Sequence, residues 1–237
     1  MVKIAGSKKL KRQMAPMFWG ITRKNKRFVT TVRPGPHGKK LSVSTVVFLR
    51  DMLRIVKNLR EAKYAIYNGK VKVNGVKRKS LHHGIGLMDV VELDGVKEIY
   101  RMIPKDGILL KPTIIEDIEK TKKLSKVKSK TTIKNNKTQI GFHDGNSIID
   151  EADVSVGDTC ILQIPEQKIL EVIKLEKGVQ GLITNGANAG KVGIINDVKN
   201  GTFVLPKRVI ITLENKQIEI PAKLLLVVGK DKPVIRI

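Results

Sequence analysis

Few residues of this 237-residue sequence have the types and spacing that chemistry requires. His82-His83 has the side chains to bind a metal or pass protons, but no cysteine or carboxylate stands at ligand spacing beside it, so a solvated turn is expected. His143-Asp144-Gly145 sets a base beside an acid; Asp-Gly is foremost a turn signal, and no nucleophile motif accompanies it. Cys160 lies in the apolar run Thr159-Cys160-Ile161-Leu162 and is expected to be packed rather than reactive, and as the single cysteine it forms no internal disulfide. The carboxylates Asp150, Glu151, Asp153 and Asp158 lack the spacing of a calcium loop. Gly186, Gly190 and Lys191 suggest a phosphate loop, yet only three residues separate the glycines and Val192 follows the lysine, where a Walker A motif needs Ser or Thr. Catalysis, metals and cofactors are therefore not expected, and no small-molecule substrate is implied.

What remains is charge. The chain carries 46 Lys and Arg against 22 Asp and Glu, a formal net charge of +24. The excess is concentrated: residues 1–80 hold 22 basic and 2 acidic residues, and Lys122 to Lys137 add 7 bases without an acid. Residues 81–120 and 141–180 are net acidic. Such polarity describes one face or arm meant for a polyanion. Phe18, Trp19 and Phe28 stand among the N-terminal charges, where rings are expected to stack or anchor while Lys and Arg neutralise phosphates. No apolar run approaches the roughly 18 residues of a spanning helix, and the basic N-terminus lacks the apolar core of a signal peptide, so a cytoplasmic protein without a membrane partner is expected.

The elements that must position these charges follow from periodicity. Residues 1–41 show no sustained period, and Arg33-Pro34-Gly35-Pro36-His37-Gly38 breaks helices, so an extended basic arm without a large core of its own is expected, ordered chiefly by what it binds. Ser44 is placed to cap a helix with Val46, Val47, Leu49, Met52, Leu53 and Val56 on one face and Arg50, Arg54 and Lys57 on the other. A second helix is expected over Leu59 to Tyr67, with Arg60 and Lys63 outward, closed by Asn68-Gly69. Lys70 to Val73 alternates into the turn Asn74-Gly75 and reads as a strand entering a hairpin, with a second strand near Val90 to Leu93. Residues 98–175 read as short strands at Ile99 to Ile103, Ile108 to Leu110, Lys137 to Phe142, Thr159 to Ile164 and Ile169 to Lys174, which suggests a small barrel. Ile114 to Lys128 is the exception, helical at first and then a Lys-rich connector. In residues 176–237, glycines 178, 181, 186, 190 and 193 punctuate short apolar strands.

Asn58 to Gly75, read through both helices and the Asn-Gly turn, resembles the signature of the S4 RNA-binding domain, and Gly190-Lys191-Val192-Gly193 before Ile194-Ile195 resembles a KOW motif, the core of an SH3-like barrel. Joined to Lys9-Leu10-Lys11-Arg12, Ala15-Pro16, the Pro-Gly-Pro-His arm, Gly86-Leu87-Met88-Asp89-Val90 and His143-Asp144-Gly145, these motifs resemble, over the full length, the S4e family of the archaeal and eukaryotic small ribosomal subunit. Two departures stand out: Lys9 where the family often has histidine, and Asn74 where it often has aspartate. The resemblance implies an α+β multi-module fold: a basic arm (1–41), an S4-like RNA-binding α+β module (42–97), a central small β-barrel region (98–175) and a C-terminal SH3-like KOW barrel (176–237). It implies a non-catalytic protein whose partners are small-subunit ribosomal RNA and neighbouring ribosomal proteins. Expected RNA contacts are Lys8, Lys9, Lys11, Arg12, Trp19, Arg23, Lys24, Lys26, Arg27, Arg33, His37, Lys39 and Lys40 in the arm; Arg50, Arg54, Lys57, Arg60, Lys63, Lys72 and Arg78 in the S4-like module; and Lys191 in the KOW segment. An RNA-modifying enzyme would need a catalytic core that the sequence does not continue into, and a KOW-bearing transcription or translation factor is the other rival.

Overall fold

The structure, a computed structural model, describes residues 9–213, 216–230 and 232–236; Lys8 lies outside them. The chain is mostly antiparallel β-structure with few helices. In the N-terminal region β1 (Leu10–Lys11) pairs with β2 (Phe28–Val29). This pairing sends Leu10 and Val29 inward and leaves Lys11 and Phe28 exposed, the period-two consequence of a strand. The arm, expected to have no large core of its own, is held to the body: Leu10, Ala15, Trp19, Val29 and Val32 share one buried cluster with the helices and first sheet. Aliphatic and aromatic residues spaced through the basic run supply the apolar area that holds the arm down.

The chain then forms β3 (Val43–Ser44) and α1 (Thr45–Val47), which continues as a wider π-helical turn over Phe48–Met52. The long Ser44-capped helix expected from the spacing does not form: the Ser44 hydroxyl donates to the Thr30 carbonyl at 3.2 Å instead of capping, and Arg54 leaves the helical region at φ 56°. Val46, Val47 and Leu49 are buried as the spacing predicts. Helix α2 (Leu59–Tyr67) starts at a capping box in which Asn58 and Glu61 satisfy each other's backbone, and it buries Ala62 and Ile66.

Strands β4 (Val71–Val73) and β5 (Val76–Lys77) make the expected Asn-Gly hairpin, with both Asn74 and Gly75 at positive φ. After β6 (Gly84–Ile85), paired to β3, come β7 (Val90–Leu93), β8 (Ile99–Lys105) and β9 (Ile108–Ile115). The sheet order is β5-β4-β7-β8-β9, so hydrogen bonding runs across the division expected at 97/98, and β8–β9 complete the first sheet. Val90 pairs with Arg101 and Glu92 with Ile99, because Asp94-Gly95 turns the chain back on itself.

The segment from Ile114 to Lys128 is not a helix leading into a connector. It finishes β9, makes a short 3-10 turn at Asp117–Thr121, and becomes β10 (Lys122–Thr132). The first half of β10, Lys122 to Lys126, pairs with β13 (Thr159–Gln163), and from Val127 onward it pairs with β11 (Thr138–Phe142), with a register shift between Val127 and Ser129. With β12 (Ser147–Ile149) and β14 (Lys168–Ile173) the order is β12-β11-β10-β13-β14. The third sheet is β18-β17-β16-β15-β19, from β15 (Gln180–Ile183), β16 (Val192–Lys199), β17 (Arg208–Leu213), β18 (Lys216–Pro221) and β19 (Leu225–Gly229). Its core includes Met88, Ile103, Leu124 and Ile161, so the C-terminal sheet packs on both of the others.

Gly190 shows why the glycine run matters. Its φ is 91°, and a Cβ there would lie 2.6 Å from the Lys105 Cα, so the C-terminal loop can approach the β8–β9 hairpin only with glycine at this position.

Candidate nucleic-acid interface

The candidate basic residues divide by burial. In the arm, Lys9, Lys11, Arg23, Lys24, Lys26, Arg27, Arg33, Lys39 and Lys40 are exposed. Lys9 and Arg27 lie over the Phe28 ring, 5.7 and 5.4 Å from its centroid, which presents an aromatic face between two cations. Arg23 braces the arm, donating to the Gln13 carbonyl at 3.2 Å.

Three arm candidates do not reach the surface. Trp19 is wholly buried and its Nε1–H donates to the Ser42 carbonyl at 3.0 Å. Arg12 is buried against the Thr22 carbonyl and lies 3.9 Å from Asp51. His37 is buried with Nε2 2.9 Å from an Asp89 carboxylate oxygen. All three fasten the arm to the body and are withdrawn as surface contacts.

In the next module Arg54, Lys57, Arg60 and Lys63 are exposed, while Arg50, Lys72 and Arg78 are half-buried. Arg50 forms a 2.7 Å ion pair with its neighbour Asp51, so its charge is partly matched within the chain. Lys72 stands across from Lys77 and Glu92 in the sheet. Tyr64 and Tyr67 project from α2 beside Arg60 and Lys63, and the Lys70 ammonium sits 5.7 Å from the Tyr64 ring. Lys77 and Lys79 converge on Gly69 at the end of the same helix. The sequence signal for this group is the spacing of Tyr64 and Tyr67, three residues apart on an outward helical face. Lys191 is exposed but belongs to the C-terminal sheet, apart from the arm and α2.

His82 and His83 are half-buried rather than solvated. The His82 ring lies 2.7 Å from the Thr31 carbonyl, and the His82 and His83 carbonyls accept from Arg33 and Thr45, so this turn pins the arm. Burial and the nearby Arg78 lower the His83 pKa. Cys160 is buried, which pushes its thiol up to about 12.

A second constellation is buried where the arm and first two sheets meet. The Lys123 ammonium lies 2.8 Å from Asp89 and 2.7 Å from Asp144. Asp89 also accepts from the Asn74 amide and the Gly86 backbone N–H, both at 2.8 Å, besides its contact with His37. Asn74 in turn accepts from the Val90 N–H, so its amide both donates and accepts, which an aspartate there could not do. Burial alone would raise the two carboxyls, but Lys123 and the histidines bring both below the ordinary carboxylate value. Burial alone would lower Lys123, and the two carboxylates more than offset it. His143, whose Nε2 faces the Leu87 carbonyl and whose Nδ1 accepts from the Lys126 N–H, is pushed down to about 4 by burial and by Lys123, and is neutral at pH 7. His37, Asp89, His143 and Asp144 are metal-ligand types, but an ammonium already occupies the place between the carboxylates. The Pro-Gly-Pro-His, Asn-Gly, Gly-Leu-Met-Asp and His-Asp-Gly motifs thus converge on one interlock.

The family model described as "Ribosomal family S4e" matches residues 96–169, and the RS4NT (NUC023) domain matches residues 5–40. The small ribosomal subunit protein eS4 of Methanosphaera stadtmanae is 38% identical, over 99% of this chain and 98% of that protein. Its counterpart in Methanothermobacter thermautotrophicus is 35% identical over 99% and 98%. The crystal structure of the 30S ribosomal protein S4e from Thermoplasma acidophilum superposes with a TM-score of 0.68 at 29% identity, covering 80% of this chain and 96% of that one.

Proposed function

The chain belongs to the S4e family of ribosomal proteins, and from that premise we propose that it binds small-subunit ribosomal RNA through the exposed basic surface of its first 80 residues, as a structural constituent of the cytoplasmic small subunit. The family is structural, not enzymatic. The observation that carries the RNA reading is the grouping of Arg60 and Lys63 on α2, and Lys70 just past its end, with exposed Tyr64 and Tyr67, beside a docked arm whose outward side chains include many Lys and Arg. Cations neutralise phosphates and release counterions, while rings accept unstacked bases. The helix pair and Asn-Gly hairpin support an S4-like module expected over 42–97, extended here by β8–β9. The sheet of β10 to β14 supplies the central β region expected within 98–175, and the glycine-marked sheet from β15 to β19 supports a KOW-type SH3-like domain over 176–237. Ribosomal RNA and neighbouring ribosomal proteins are the partners this reading names.

Titration of archaeal small-subunit rRNA with the full chain at several salt concentrations tests it. Replacing Arg54, Arg60 and Lys63 by alanine together is expected to weaken binding and to lower the log–log salt slope by about two to three, near one per lost phosphate contact. An unchanged slope overturns the interface. Loss of the full chain from small subunits in a high-salt wash would oppose the ribosomal role and favour a soluble factor.

A further inference from the structure

A groove of about 540 Å³ opens where the arm, the first sheet, β10 and the C-terminal sheet meet. Leu41, Leu87, Leu109, Leu110, Val156 and Leu224 make its floor and walls, and Leu41 and Val156 remain 52% exposed. Lys126, Lys128, Lys207 and Lys223 ring it, and among the described residues its lining contains no carboxylate and no Phe, Tyr or Trp. One wall is fixed: the Lys126 ammonium donates to the Ala222, Lys223 and Leu225 carbonyls and clamps the short turn before β19. His37 and His143 at the base are already bonded inward, leaving exposed Lys128 and Lys223 and half-buried Lys207 as the rim charges.

We infer that this groove docks an extended acidic peptide segment of a neighbouring protein, with aliphatic side chains entering the floor and Asp or Glu meeting the lysine rim. Apolar floors with a few charged groups at the edge suit peptide anchors. Nucleotides are disfavoured by the same lining, since base recognition on single strands uses aromatic platforms and no ring stands among the lining residues; of the exposed rings, Phe28, Tyr64 and Tyr67 lie on the arm and α2, and Phe203 precedes the lining residues Pro206 and Lys207 without joining them. The sign of the rim selects acidic partners over basic ones.

The inference goes beyond the RNA-binding reading and is tested without the ribosome, so either can fail alone. The full chain, labelled on Leu and Val methyls, is titrated with a capped peptide of alternating Glu and Leu, with a Lys-Leu counterpart, and with a single-stranded oligouridine. The Glu-Leu peptide is expected to shift methyls of Leu41, Leu109 and Leu224, and the double substitution Lys128→Glu with Lys223→Glu is expected to weaken it tenfold or more. Equal shifts from the Lys-Leu peptide, shifts of these methyls by oligouridine, or Glu-Leu shifts confined to the arm would each overturn the proposal.

Discussion

The exposed arm with α2 and the buried interlock are built from the same residue types and do opposite work. Lys24, Lys26, Arg27 and Lys63 face water, where each charge is solvated at little cost and remains available to a polyanion. Lys123, 1% exposed, has given up its water, and the loss is offset only because two carboxylates sit within hydrogen-bonding reach. A count of basic residues merges these two populations. Burial and partner separate them, and the separation says which lysines stay solvated at the surface and which hold the modules together.

The sharpest way to break this comparison is Lys123→Met. It leaves Asp89 and Asp144 buried without their common partner and is expected to cost about 3–5 kcal/mol in urea unfolding; a loss below about 1 kcal/mol would mean that the interlock is open to water. The converse is the triple replacement of Lys24, Lys26 and Arg27 by alanine. Stability should stay within about 0.5 kcal/mol per site, while the salt slope of rRNA binding drops by about two to three. If unfolding shifts instead, those cations belong with the buried class. Tyr64→Ala tests the aromatic part of the exposed surface: about 1–3 kcal/mol of rRNA affinity should go if a base stacks there, with no change in the salt slope.

A further test is in pH. His143 is held at about 4 against an ordinary 6.5, so the unfolded chain takes up the proton first. Stability from this group is full above about 6.5 and declines as pH falls towards 4. Asp89 and Asp144, both depressed, add a further loss below the ordinary carboxylate value of 3.8. Unfolding titrations between pH 4 and 7 should show the His143 slope, and His143→Asn should flatten it. An unaltered slope would assign the titration to another group.

Much of this was legible in local pattern. Alternation and turn residues located β4, β8, β11, β13 and β14, and the Leu59–Tyr67 helix lies where its periodicity places it. The apolar rhythm of Val46 to Val56 predicts a longer helix than forms, because the rhythm runs on through a π-helical turn that ends at Met52 and past Arg54 at positive φ. Lys122 to Thr132 shows little strand pattern in sequence, since a lysine-rich run carries little apolar signal even when it forms a strand shared by two ladders.

The sequence by itself determined where the positive charge lies, that the chain has cores of aliphatic residues, and, through its motifs, the family. Those properties are sums or short-range patterns. Only the tertiary structure decided that Trp19, His37 and Lys123 are internal, because their partners are remote in the chain: 52 residues separate His37 from Asp89 and 34 separate Lys123 from it. A side chain's worth depends on whether water or a countercharge surrounds it, and that is set by folding.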